Sequence, residues 1–533
     1  MGSIKSFLNR IEDSSIGFGL WICTALCIIF IRDFLESTLN FSSFGEITSF
    51  HFVHFPVFFI SVLLAIIISL HLFSKVEITK VSRVSLIFFW IIVLPIFVDF
   101  FVYSALGEDL DYLYIVENLK GNFLNFLNPF VKIQGVTYGM RAEIAAISIL
   151  SFFYIFIKRN KIFLSLLGSF FIFVMCFSYI SISGVLIGFF KFLSSFIPYL
   201  KVDDKILLNM FTTDKLAESR VTIAGLVINS LLAAVWFWRY DRSKFNALFK
   251  NLRFTRSIHY ISLVIIGIAF NLSFNQYLPG LPSDFSLIRL TGVLLAIFFA
   301  FQFSVIINDI YDVNCDKISN KNRPLVVGAL SKEEYLKVGM VYLALALLSA
   351  FSAGDTAFRI TLIFIALYFV YSVPPFRLKR FFPLSSIIIA VQAILAFLLG
   401  YLFLEVPGAS MEVPTKILWL LFFVFLLASS VKDLKDIEGD KASNSYTLPV
   451  ILGEANAKKI IGISVCISYL SVAIFLPGIF GFSIQPALLI LTSIFGIFNF
   501  FYILRKDAKE QIIFSVYFIY IFFILLFLIS KII

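Results

Sequence analysis

The sequence predicts an all-α, polytopic integral membrane protein, with a nine-helix bundle preceded by about six further transmembrane helices. Three observations carry that expectation. The 533 residues are 60% hydrophobic and only 14% charged, whereas an ordinary soluble domain is about 45–50% apolar. The apolar residues gather in fifteen runs of roughly 20, the length at which an α-helix crosses a bilayer. The basic residues sit between alternate runs, as the positive-inside rule requires of membrane helices.

In the first half the runs lie near 16–33, 52–74, 84–105, 143–157, 162–185 and 220–238, the fourth being short. The stretch from Ile16 to Ile31 lacks a small-residue cleavage site and leads into Arg32, Asp33 and Glu36, so it reads as a first membrane helix and not a removed signal. With Met1 in the cytoplasm, Lys75, Lys80, Arg83, Lys158, Arg159 and Lys161 fall inside. Segment 106–142 then becomes a large outer loop, and 186–219 an outer or interfacial one. A polar, basic stretch from Arg239 to Arg256 marks the boundary between an N-terminal domain, 1–245, and a second domain, 250–533. The nine runs of that second domain lie near 257–274, 285–314, 334–353, 358–373, 384–404, 415–434, 458–478, 483–503 and 511–531.

Two of these runs end in acidic triplets of identical spacing: Asp309, Asp312 and Asp316, then Asp433, Asp436 and Asp440. Positions i, i+3 and i+7 share a helix face, so each triplet points three carboxylates the same way. Crowded carboxylates repel or take up protons unless a cation holds them, and Mg²⁺ prefers oxygen ligands shared with phosphate. The triplets end the second and sixth helices of the domain, an even separation that puts them on one side of the membrane. Lys317, Lys321, Arg323, Lys432, Lys435 and Lys441 flank them, which places that side in the cytoplasm and the protein in the cell membrane.

Other features are less informative. The formal charge of +10 is spread between apolar runs and not along a basic arm, which excludes nucleic acid as the expected partner. Cys23, Cys27, Cys176, Cys315 and Cys466 form no C-x-x-C pair and read as packing residues. His51 and His54 lack an evident third metal ligand and read as interfacial. Gln392 reads as a helix–helix hydrogen bond or as part of an acceptor pocket. Arg32, Asp33 and Glu36, with Glu108, Asp109, Asp111 and Glu117, carry no assigned chemistry.

A polyprenyl diphosphate suits the paired triplets. Its apolar tail belongs among membrane helices, while its anionic head needs Mg²⁺ and Lys or Arg at the aqueous edge. Ionisation of the allylic C–O bond leaves a carbocation that the aromatic-rich helices keep from water.

At these residues the chain resembles the UbiA superfamily of intramembrane prenyltransferases. The first motif, Asn308 to Asp316, is similar to that family's N-D-x-x-D-x-x-x-D and continues through Asn322-Arg323-Pro324-Leu325. The second, Asp433 to Asp440, is similar to D-x-x-D-x-x-G-D and is followed by Thr447-Leu448-Pro449-Val450. A third block, Tyr371 to Arg380, looks like the loop between the family's fourth and fifth helices. Its Tyr371 precedes Lys379 by more than the usual Tyr-x-x-x-Lys spacing, which resembles the homogentisate and chlorophyll-synthase branches and leaves open whether Arg377 or Lys379 takes the family lysine's role.

The resemblance covers about residues 250–533 and implies a UbiA-type bundle. It implies Mg²⁺ bound by Asp309, Asp312, Asp316, Asp433, Asp436 and Asp440, with Asp309, Asp312, Asp433 and Asp436 central to catalysis. Asn308, Lys317, Arg323, Tyr371, Arg377, Lys379 and Lys441 are implied at the substrate. The expected reaction is transfer of a prenyl group to a lipid-soluble acceptor, aromatic as in a quinone pathway, with release of diphosphate. A glycerol-phosphate lipid, a porphyrin-type alcohol or protohaem is the alternative acceptor. A CDP-alcohol phosphotransferase is disfavoured because its D-G-x-x-A-R opening is absent, and an ion-binding transporter or receptor would bind without turnover.

Overall fold

The computed structural model describes residues 2–39, 51–106, 114–196, 217–275, 287–404 and 413–532. Among them fifteen helices are long and apolar enough to cross a membrane. Hydrocarbon offers the backbone no hydrogen-bond partner, so runs rich in Leu, Ile and Phe close their N–H and C=O groups within the helix. No sheet forms among the described residues, only the isolated bridge pairs Ile133 with Val136 and Phe381 with Tyr446. The protein is an all-α, polytopic membrane protein. Its contacts divide into two units, Met1–Phe245 and Asn246–Ile533.

The first unit holds α1 (Phe18–Leu39), α2 (Phe52–Ser74), α3 (Ile78–Tyr103), α4 (Tyr138–Arg159), α5 (Ile162–Ile180) and α6 (Ala217–Tyr240). Several boundaries differ from those expected. Helix α1 runs through Arg32, Asp33 and Glu36 because Arg32 Nη1 donates to Glu36 Oε2 at 2.5 Å, one turn away, and the pair neutralises its own charge. Helix α4 is full length, not short: Thr137 caps it by accepting from Met140 N at 3.2 Å. The guanidinium of Arg141 is taken up by the Asn128 and Val131 carbonyls, each at 2.7 Å. The run at 162–185 stops at Ile180, and a separate helix, Ile182–Phe196, occupies part of the expected 186–219 loop. Within the expected outer loop 106–142, Leu119–Asn125 is helical. Glu108, Asp109 and Asp111 lie outside the described residues, as does the His51 side chain.

The second unit holds α7 (Phe254–Phe274), α8 (Leu287–Ser319), α9 (Lys332–Ala353), α10 (Asp355–Ser372), α11 (Leu384–Tyr401), α12 (Thr415–Lys435), α13 (Glu454–Phe475), α14 (Gln485–Ile503) and α15 (Glu510–Lys531). Helices α7 and α11 cross with backbones in contact. A Cβ on Gly400 would lie 1.9 Å from Val264 O, and one on Gly267 would lie 2.1 Å from Phe397 O. Small residues are what bring membrane helices this close. Buried Gln392 accepts a long hydrogen bond from Tyr260 OH at 3.4 Å across the same pair, so it serves as a helix–helix bond.

The 33 residues of α8 span about 50 Å at ~1.5 Å per residue. That exceeds a hydrocarbon core of about 30 Å, so its last turns, which carry the first acidic motif, stand at the aqueous edge.

Candidate active site

A cavity of about 270 Å³ opens among α7, α8 and α10 to α13, with α15 closing one side. Asn308, Asp312 and Asp316 line it. These residues are four apart, so they form one stripe along α8. The neighbouring Asp309 is rotated off that stripe and is not among the lining residues. It is 1% exposed and faces a basic nest. Arg253 Nη2 donates to its Oδ1 at 2.5 Å, while Asn251 Nδ2 and Tyr335 OH each donate to Oδ2 at 2.9 Å. Arg323 Nη1 lies 3.9 Å away.

The second triplet does not continue a helix as its spacing predicts. The end of α12 tightens into a 3-10 segment, Ser429–Lys435, and a separate short helix, Ile437–Ala442, follows. The break falls at Asp436, whose ψ of 13° is non-helical. It turns Asp440 back toward the cavity, so that Asp433, Asp436 and Asp440 all line it. Gly439 makes that return possible. A Cβ there would meet Ser319 Oγ at 2.3 Å and Cys315 Sγ at 2.7 Å, so only glycine lets the short helix lie against the end of α8. Cys315 is therefore a packing residue.

One side chain joins the two motifs. Asn320 Nδ2 donates to Asp316 Oδ1 at 3.0 Å and to Asp436 Oδ1 at 3.2 Å. The triplets therefore stand at the same end of the bundle, a single amide apart. Opposite them, the third block supplies cations. Arg377 Nη2 donates to Asp312 Oδ1 at 2.8 Å, Lys379 binds the other Asp312 oxygen, and Lys379 Nζ also donates to Asn308 Oδ1 at 2.8 Å. Both cations thus sit on the first motif. Tyr371 lines the cavity beside Lys432, which pairs with Asp433. Tyr446 N donates to Arg380 O at 2.6 Å, which ties the third block to the chain leaving the second motif.

The balance of charge is close. Asp312, Asp316, Asp433, Asp436 and Asp440 line the cavity together with Arg253, Arg256, Arg323, Lys379, Lys432 and Lys435. Arg256 and Lys435 share Glu510, at 2.6 and 2.7 Å. Burial pushes the Asp440 carboxyl up to about 7, with the Asp433 charge adding to it and the Thr447 hydroxyl opposing. Burial also lowers the Lys379 ammonium from its ordinary value, against the pull of Asp312. Away from the charged mouth the walls are aromatic, with Tyr260, Phe301, Tyr368, Phe425 and Tyr517 among them.

Lys317 and Lys441 are exposed and line nothing here. Each follows an inward aspartate by one residue, a turn of about 100° on a helix. Arg253, Arg256, Lys432 and Asn320 are the site residues that motif spacing missed. The three basic ones were visible in the sequence only as topology charges.

Among the described residues no three His, Cys, Asp or Glu side chains converge on one point. Mg²⁺ does not require that, since it is commonly held by one or two carboxylates together with substrate phosphates and water. The donor set fits such sharing. Asp316 Oδ2 is buried with no hydrogen-bond partner, and Asp436 and Asp440 face the same space.

The cavity sets the twin acidic motifs and their cations beside an aromatic chamber in an all-helical membrane bundle. The sequence profile of the UbiA prenyltransferase family matches residues 268–527, and the chain belongs to that family and is a prenyltransferase. It is 30% identical over 206 residues to the digeranylgeranylglyceryl phosphate synthase of Pyrococcus furiosus, covering 38% of this chain and 71% of that one. It is 30% identical over 212 residues to the chloroplastic homogentisate solanesyltransferase of Arabidopsis thaliana, covering 38% of this chain and 54% of that one. The structure of a UbiA homolog from Archaeoglobus fulgidus bound to DMAPP and Mg²⁺ is 26% identical, with a TM-score of 0.41, over 53% of this chain and 99% of that one.

Proposed function

We propose that the protein transfers a prenyl group from a polyprenyl diphosphate, held with Mg²⁺ between the two acidic motifs, to a lipid-soluble acceptor on the cytoplasmic side of the cell membrane. The bridge from Asn320 to Asp316 and Asp436 carries this reading, because it joins two otherwise separate motifs into one site. Bound Mg²⁺ would draw charge from the leaving diphosphate. Asn308, Asp312, Asp316, Asp433, Asp436 and Asp440 face the space where it would be held.

Asp309 takes a different part, holding Arg253 and Arg323 so that their remaining N–H groups stay at the cavity. Lys379 and Lys432 line the same cavity and Arg377 holds Asp312, which supports a part for these cations in stabilising the charge that grows as the C–O bond breaks. The bond's electrons leave with the diphosphate, and the allylic cation forms against Tyr260, Phe301 and Tyr368, whose ring faces favour positive charge. The acceptor's nucleophilic atom attacks that carbon and then loses its proton. Water is kept out by the same aromatic walls.

The aromatic lining supports a flat aromatic acceptor, stacked on it. A second reading, a glycerol-phosphate lipid, is favoured by Arg256 and Lys435 at the mouth, where a second phosphate would sit. Purified protein with labelled geranylgeranyl diphosphate and Mg²⁺ is to be offered a homogentisate and a geranylgeranylglyceryl phosphate in parallel. A prenylated product from one identifies the acceptor class. EDTA is expected to abolish turnover, and Asp312→Ala or Asp436→Ala to lower it by at least about 100-fold. Folded protein that makes no product with either acceptor, or turnover untouched by EDTA, would overturn this reading.

A further inference from the structure

The first unit contains a larger cavity, of about 920 Å³. That is at the upper end of the ~300–1,000 Å³ typical of small-molecule sites. Every residue lining it lies between positions 4 and 221, so it is formed within one unit and shares nothing with the prenyl-transfer site. Most of its wall is apolar, drawn from α2, α3 and α4, with Phe58, Val62, Ile66, Ile92 and Ile147 along its length.

One end is polar and built with care for geometry. Arg32 is 7% exposed and Glu36 6%. The Arg32 guanidinium is gripped by Glu36 through both Nη atoms, at 2.5 and 3.2 Å, and by Asp33 at 3.0 Å. Its face rests on the rings of Phe55 and Phe59, 5.1 and 4.9 Å from their centroids. The buried Nε has no partner.

Beside it, His54 bonds Thr222 Oγ1 through Nδ1 and Tyr114 OH through Nε2, both at 2.7 Å. Thr222 spends its own proton on Glu218 O at 2.7 Å. It must therefore accept from Nδ1–H, and a neutral His54 then accepts from Tyr114. His54 is thus buried and engaged.

Glu143, on α4, also lines this cavity. Its nearest charged neighbours are Arg32, Asp99 and Glu36, and no described residue hydrogen-bonds it. Among the described lining residues, Glu36, Glu117, Glu143 and Glu218 face only two cations, Arg32 and Lys132. Arg32 is already shared between two carboxylates. The charge balance is the reverse of that in the second unit, where cations outnumber acids. Glu143 is half-buried and faces this space, so an occupant that donates hydrogen bonds supplies the partner that the described residues do not.

We propose that the first unit is a lipid-binding domain whose cavity takes one long-chain amphiphile with a hydrogen-bond-donating head, a hydroxyl or an ammonium, seated at Glu143. The chain lies along Phe58, Val62 and Ile147, and a phosphate head is refused by the surplus of carboxylates.

The test uses the full-length protein in detergent with diazirine-bearing C18 probes, one an alcohol, one an amine and one a monophosphate, followed by peptide mapping of the photo-crosslinks. The alcohol or the amine should label the peptides carrying Phe58 and Ile147. Labelling should fall at least tenfold in Glu143→Leu and in Val62→Trp, which narrows the apolar part of the cavity about two helical turns from His54. The phosphate probe should neither label these peptides nor compete. Prenyl transfer and melting temperature report the fold, and if Glu143→Leu fails to fold, Val62→Trp alone decides. Labelling unchanged in a folded Val62→Trp, or equal labelling by the phosphate probe, overturns the proposal.

Discussion

Gly439→Ala tests whether one contact sets the spacing of the two acidic motifs. The new Cβ would stand 2.3 Å from Ser319 Oγ, 2.7 Å from Cys315 Sγ and 3.1 Å from Cys315 O, whereas comfortable contact begins near ~3.5 Å. The hydroxyl and thiol can rotate aside. The carbonyl belongs to the backbone of α8 and cannot. The short helix must therefore back off by roughly half an ångström with both side chains rotated, and by about 1 Å without. Overpacking of this kind costs about 1–3 kcal/mol, which a fold of this size survives. The chemistry is less forgiving, since a displacement of ~1 Å costs on the order of 100-fold in rate.

We expect kcat for diphosphate release to fall roughly 10–100-fold in Gly439→Ala, with a raised Mg²⁺ requirement and a melting temperature only modestly lowered. Adding Ser319→Ala and Cys315→Ala removes the two nearest contacts and should recover part of the loss. Steady-state release of diphosphate from labelled geranylgeranyl diphosphate, titrated with Mg²⁺, reads both quantities. A kcat equal to wild type would refute the claim that this contact sets the spacing. So would a triple variant no better than the single one.

Asp309→Asn removes the charge that holds Arg253 and Arg323. Stability should fall by up to about 3–5 kcal/mol, while the Mg²⁺ midpoint stays at its wild-type value, in contrast to Asp312→Asn; an equal shift in both would make Asp309 a metal ligand. The raised Asp440 carboxyl, at about 7, is a poor ligand while protonated. Apparent Mg²⁺ affinity should therefore weaken as pH falls from 8 to 6, approaching about tenfold per unit on the acid side, and Asp440→Asn should flatten that dependence. Isothermal titration across that range checks it, and a flat wild-type profile would show that no proton is displaced. Lys317→Ala and Lys441→Ala, both pointing to solvent, should leave kcat/KM within about twofold. A loss of tenfold or more in either would place that lysine at the substrate.

Much of the fold was legible because membrane constraints act locally along the chain. Fifteen apolar runs became fifteen helices among the described residues, and the even count between the triplets put them at one end. The errors share a cause: a hydropathy reading stops where charges begin. It ended α1 near residue 33, short of Glu36, and began α4 near residue 143, past Arg141, although nearby oxygens engage each guanidinium and let the helix include it. The break of the second motif at Asp436 was invisible for a related reason. Spacing i, i+3, i+7 assumes an unbroken helix, and Gly439 gave only a local hint that one backbone must approach another.

By itself, the sequence determined the class of the protein: its membrane spans, its twin acidic motifs and the prenyltransferase family they mark. Composition, run length and motif spacing are properties of the chain in one dimension. Tertiary structure alone decided which carboxylates face one another. A single residue's step turns a side chain by about 100° on a helix, which separates Asn308 from Asp309, Asp316 from Lys317 and Asp440 from Lys441. Whether the side chain then meets a cavity, a guanidinium or water depends on the neighbouring helix. Asn320, Arg253 and Lys432 joined the site on that ground, brought to it by packing between segments far apart in sequence.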